Sequence, residues 1–118
     1  MRKYDDTKLD KLKIQYRMDE LKEQIYEIEN RYDFKGMEVI HPVYGFGVAS
    51  KLMIRKGLDL LEIDFGEDGI KLIGLLSSYK MKLNTPDAEQ IYSDFDECYK
   101  MKMEYEQLNA QKNSSFVV

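Results

Sequence analysis

The chain has 118 residues and a formal charge of −4, with 34% charged side chains and one cysteine. That length supports one compact domain, or one small domain carrying helical extensions, and leaves little room for an enzyme with a deep cleft. Cys98 alone excludes an intrachain disulfide and a cysteine zinc cage, and fits a reducing compartment. The charge is uneven. Residues 1–35 hold nine basic and nine acidic side chains, residues 36–84 six and six, and residues 85–118 three and seven. No clustered basic face of the kind that neutralises phosphates stands out. The opening Met1-Arg2-Lys3-Tyr4-Asp5-Asp6-Thr7 leads into a charged stretch, so neither a signal peptide nor a membrane span is expected, and a soluble cytoplasmic protein is.

In the first third, Ile14, Met18, Leu21, Ile25, Ile28 and Tyr32 step by four and three, which lays one apolar stripe along a helix. Thr7 and Asp10 offer a capping box, and no Gly or Pro interrupts the run that follows. This spacing predicts a helix over 7–33, about 40 Å long at about 1.5 Å per residue.

The middle block, 36–84, reads as short strands with turn punctuation. Strands are expected near 37–41, 47–54, 59–65, 69–74 and 79–83. Leu61, Ile63 and Phe65 share one face, with Glu62 and Asp64 on the other, and Ile70 and Leu72 flanking Lys71 repeat the pattern. Gly66-Glu67-Asp68-Gly69 supplies a hairpin turn and Arg55-Lys56-Gly57 a second one. Five short, strongly curved strands in about fifty residues predict a small closed barrel of SH3-like size.

Thr85-Pro86-Asp87 announces another helix: a capping hydroxyl, a proline pre-set for the first helical position, and acids at the positive end of the dipole. Ile91, Phe95, Cys98, Met101, Tyr105 and Leu108 form its stripe, and the helix is expected over 86–111 with a disordered tail over 112–118. Two helices leaving neighbouring barrel strands would run antiparallel, so the fold class is α+β: a five-stranded barrel flanked by two long helices in an antiparallel coiled coil. The pairing closes within one chain as a monomer or between two chains as a homodimer.

The run Gly36-Met37-Glu38-Val39-Ile40-His41-Pro42-Val43-Tyr44-Gly45-Phe46-Gly47, with Ile63-Asp64-Phe65, Gly69-Ile70-Lys71-Leu72 and Leu75-Leu76, resembles the Tudor-like domain at the C-terminus of UvrD/PcrA-type DNA helicases. It is similar, more loosely, to the RNA-polymerase-interacting domain of CarD-type regulators and transcription-repair coupling factors. The resemblance covers residues 36–84 and implies a docking module whose partner is RNA polymerase or another transcription or DNA-repair factor. No helicase motor or Walker loop accompanies it.

Candidate partner-binding residues are Tyr44, Phe46, His41 and Tyr79. At the glycine-flanked corner, the rings of Tyr44 and Phe46 either project toward a partner or fold inward, and an inward plug is the structural reading for Phe46. His41, beside Pro42, has a structural hydrogen bond as its expected role. Tyr44, Phe46, Phe65 and Tyr79 together would make an aromatic cage for a methylated lysine, although Phe65 reads as core. The alternative partner is nucleic acid, held by Lys51, Arg55, Lys56 and Lys71, with Lys80 and Lys82 beside them. No nucleophile, base and orienting group come together, so no catalytic residue and no cofactor are expected. Glu62, Asp64, Glu67 and Asp68 lack calcium-loop periodicity and read as a solvated face, so no metal is expected either.

Overall fold

A computed structural model of the protein describes residues 3–76 and 81–114. The elements run α1 (Lys3–Glu29), β1 (Glu38–His41), β2 (Gly45–Arg55), β3 (Leu58–Asp64), a 3-10 turn (Gly66–Asp68), β4 (Ile70–Gly74), β5 (Lys82–Leu83) and α2 (Ala88–Ser114). The molecule is elongated, 68 × 26 × 19 Å.

The helices pair antiparallel within the chain, as the two stripes require. Met18, Leu21 and Ile28 of α1 are buried, as are Ile91, Phe95 and Cys98 of α2. Polar contacts fix the register: Arg17 makes a forked pair with Glu104 at 2.8 and 3.0 Å, Lys112 reaches Gln15, and Arg31 meets Asp94 at 2.9 Å. The boundaries differ from expectation. Thr7 lies inside α1 and does not cap it, since the helix already runs from Lys3. At the other helix, Thr85-Pro86-Asp87 forms a turn ahead of α2. The Thr85 hydroxyl accepts the Asp87 N–H at 3.4 Å, and the Asp87 carbonyl accepts the Ile91 N–H at 2.9 Å, so Asp87 opens the helix in place of Thr85. The helix continues to Ser114, past the 111 expected. Residues 115–118 of the expected tail lie outside the described residues.

The five strands are all antiparallel, in the order β4-β3-β2-β1-β5, and form an open sheet. The expected closed barrel is therefore corrected. β4 and β5 sit at opposite edges, and β5, two residues long, pairs with β1 at Val39 and Ile40 alone. The inner sheet face is covered by the roots of the helices: Val39, Ala49, Leu61, Ile63, Phe65 and Leu83 share one core with Ile28, Phe34, Ile91, Phe95 and Cys98. Helical side chains fill the space that barrel closure would fill, and burying them supplies about 1.5–3 kcal/mol for each fully covered large side chain.

Two local devices set the strand faces. Ser50 is a bulge: Ala49 pairs Ile63 while Lys51 pairs Glu62, so Ser50 and Lys51 both face water and Leu52 returns to the core opposite Leu61. The Ser50 hydroxyl secures the bulge by donating to the Glu62 side chain at 2.7 Å. At the β2–β3 hairpin, Lys56 and Gly57 both have positive φ, 51° and 78°, the geometry of a two-residue turn that matches strand twist.

Candidate functional site

The His41–Gly47 corner splits its aromatic residues between the two faces of the sheet. His41 is buried, and its Nδ1 accepts the Val43 N–H at 3.0 Å and the Tyr44 N–H at 3.2 Å, which closes the turn over Pro42. Tyr44 stacks on the imidazole with ring centres 4.9 Å apart, and Phe65 lies 5.2 Å from Tyr44 and 5.8 Å from His41. The ammonium of Lys71 sits over the Tyr44 ring, 4.8 Å from its centre. Gly45, at φ +74°, turns the chain into β2. Gly47 is required for another reason: a Cβ there would stand 2.6 Å from Ile63 Cγ2 and 2.6 Å from Phe65 Cδ1. Its missing side chain is the space that Phe65 occupies.

Phe46, between the two glycines, points the other way. The inward plug expected of it is reversed: its side chain is 58% exposed, and Tyr44 is the ring that folds in. Directly across from Phe46 stands Ile40, 51% exposed. Along the outer face follow the rows Glu38–Val48–Asp64–Ile70 and Lys51–Glu62–Leu72, in which Val48, Ile70 and Leu72 are exposed. Phe46, Val48 and Asp64 line a shallow depression of about 280 Å³. The result is an apolar strip with acidic residues interleaved, extended by Glu67 and Asp68 in the β3–β4 turn.

The alternation puts Ile70 and Leu72 on one face of β4 and Lys71 on the other, without saying which is the core side. Lys71 pairs Ile63 and lies on the inner side, which turns Ile70 and Leu72 outward. The four-residue turn from Gly66 to Gly69 sets that register through the Phe65 N–H to Gly69 carbonyl bond of 3.0 Å. Counting alternately from that bond and from Leu75 N–H to Asp59 carbonyl, 2.9 Å, the backbone groups of Ile70, Leu72 and Gly74 point away from β3. Among the described residues no strand pairs with β4 on that side.

The other candidates are dispersed. Tyr79 lies outside the described residues. The methyl-lysine cage is not assembled among those described, because Phe46 is on the face opposite Tyr44 and Phe65, and Lys71 covers Tyr44. Of the basic set, Lys51 faces outward beside Glu62, Lys71 inward beside Ile63, and Arg55 and Lys56 stand at the β2–β3 hairpin end. These four do not form one patch. The Asp64 carboxylate accepts the Gly66 N–H at 2.8 Å and so braces the turn. No helix among the described residues is long and apolar enough to cross a membrane. Comparison with protein-family models, curated proteins and solved structures found no match for this chain.

Proposed function

We propose that this chain is a non-enzymatic protein-docking module that engages its partner with the outer face of the sheet and the open edge of β4, held away from other surfaces by the paired helices. One observation carries the reading: Ile40, Phe46, Val48, Ile70 and Leu72 lie exposed on a single sheet face whose opposite side is core. Exposed apolar side chains grouped in this way mark contact surfaces more often than isolated ones do. The outward N–H and C=O groups of Ile70, Leu72 and Gly74 suit an added strand, which would gain main-chain bonds from the edge and apolar burial from the face. The acids Glu38, Glu62, Asp64, Glu67 and Asp68 outnumber Lys51 and Lys82 around it, so the favoured partner segment mixes apolar and basic residues. The resemblance of the 36–47 run supports a transcription or DNA-repair factor, RNA polymerase included, as the class of partner.

The test is affinity capture from the native cell with wild type and with Phe46→Ser and Ile70→Ser, each checked for folding by circular dichroism. The reading expects a specific captured protein to be lost with both outer-face variants and kept with Leu12→Ser on α1. Capture that is indifferent to all three refutes it.

A further inference from the structure

Where the helix pair joins the sheet, ionisable side chains from three elements share one buried spot. Glu29 ends α1, Asp59 follows the Lys56-Gly57 turn in β3, Lys102 comes from α2, and Cys98 lies one helical turn before Lys102. The Lys102 ammonium stands 2.7 Å from Glu29 Oε2 and 2.9 Å from Asp59 Oδ2, and it donates to the Gly57 carbonyl at 2.9 Å. The carboxylate oxygens of Glu29 and Asp59 and the Cys98 sulfur lie within 4.8 Å of one another. The Glu29, Asp59 and Lys102 side chains are 11%, 9% and 15% exposed. Lys102 thus supplies the cluster with its own cation.

One ammonium does not balance two carboxylates, and an excess charge is costly where water is scarce. Asp59 Oδ1 is buried without a hydrogen-bond donor, and Glu29 Oε2 meets the Lys102 ammonium only as an ion pair, without an aligned hydrogen bond. Ionised carboxylates only accept, so neither oxygen satisfies the other, whereas a protonated carboxyl donates. We infer that Glu29 keeps its proton above the pH at which ordinary carboxyls ionise and donates it to Asp59, so that a neutral three-way latch joins α1, α2 and the β2–β3 hairpin. The latch gives the fold a pH sensitivity of unusual sign, and it is independent of the docking proposed above.

Burial, followed by the contact with Asp59, holds the Glu29 carboxyl above the usual carboxylate range against the pull of Lys102. Burial by itself would discharge Lys102, but Glu29 and Asp59 together more than offset it, and the ammonium persists. The Cys98 thiol, pushed up to about 12 by burial, contributes no charge at neutral pH. A carboxyl raised in the folded state stabilises fully below its unfolded value, and that contribution is lost as pH rises through the folded value. The latch therefore loosens on the alkaline side of the ordinary carboxylate range.

The wild-type protein itself provides the test, by a carbon-13 NMR titration of glutamate side-chain carboxyls assigned by triple resonance. The inference expects Glu29 to remain at the protonated chemical shift after ordinary carboxyls have ionised, and ionisation within the ordinary range overturns it. Glu29→Gln adds a second readout, because its amide donates to Asp59 at every pH. The urea midpoint of the wild type should fall as pH rises through the Glu29 titration while that of the variant stays level. Parallel falls in both proteins also overturn the inference.

Discussion

Gly47→Ala isolates the contact on which the corner depends. The added methyl carbon would stand 2.6 Å from Ile63 Cγ2 and from Phe65 Cδ1, and 2.8 Å from Phe65 Cε1, about an ångström inside ordinary contact. Phe65 has little room to retreat, since Tyr44 and His41 hem it at ring-centre distances of 5.2 and 5.8 Å. Overpacking of this kind costs about 1–3 kcal/mol, and the hemmed ring puts this site near the top of that range. Replacing a strand glycine by alanine returns about 0.5–1 kcal/mol, so the net expected loss is about 2 kcal/mol. Gly74→Ala is the control: its methyl would meet Leu60 Cδ2 at 3.9 Å, an ordinary contact, and the expected change is neutral to about 0.5 kcal/mol stabilising. Urea unfolding followed by far-UV circular dichroism measures both, and near-UV dichroism reports the displaced tyrosine cluster. Equal stability of the two variants would refute the argument that Gly47 is glycine for want of space.

Asp94→Ala removes bonds accepted from the Tyr32 hydroxyl at 2.5 Å, Gln90 at 2.7 Å and Arg31 at 2.9 Å. Arg31 is 40% exposed, so the ion pair counts lightly, and urea unfolding should show a loss of about 2 kcal/mol. The Tyr32 hydroxyl, aided by Gln90 and Arg31, holds this carboxyl below its usual range. Its contribution is therefore present above the ordinary aspartate range and vanishes as pH falls through the lowered value, and Asp94→Asn should flatten the acid limb of a stability-against-pH curve. Lys102→Met leaves Glu29 and Asp59 without their ammonium, and a loss on the order of 3 kcal/mol is expected by the same assay, with a change under about 0.5 kcal/mol counting against the latch. Cys98, fully buried and with its thiol pushed up to about 12, should resist Ellman's reagent at neutral pH in the folded protein and react fully in urea.

The helices were the most legible part of the sequence, because the four-and-three spacing from Ile14 to Tyr32 and from Ile91 to Leu108 leaves one way to bury each stripe. Strand positions were legible too, through Lys56-Gly57 and the alternation in Leu61, Ile63 and Phe65. Closure was not, since it depends on what covers the inner face, and Phe95 and Ile91 of a distant helix do so. The side on which β4 shows its apolar residues was hidden for a related reason. Alternation fixes which residues share a face, while the turn from Gly66 to Gly69 decides which face that is. Phe46 shows the same ambiguity within two residues of Tyr44, although Gly47 held a clue: a strand glycine between Phe46 and Val48 signals that something large lies on its side of the sheet. The bulge at Ser50 was not legible, because Val48-Ala49 before it and Leu52-Met53-Ile54 after it are apolar runs with no alternation for an extra residue to interrupt.

Photo-crosslinking in the native cell tests the docking surface most directly, with a benzophenone side chain placed in turn at position 46, at position 70 and at the exposed Lys22 of α1. The docking reading predicts that positions 46 and 70 trap the same protein and that position 22 does not. Crosslinks confined to position 22, or none from either outer-face position, would contradict it.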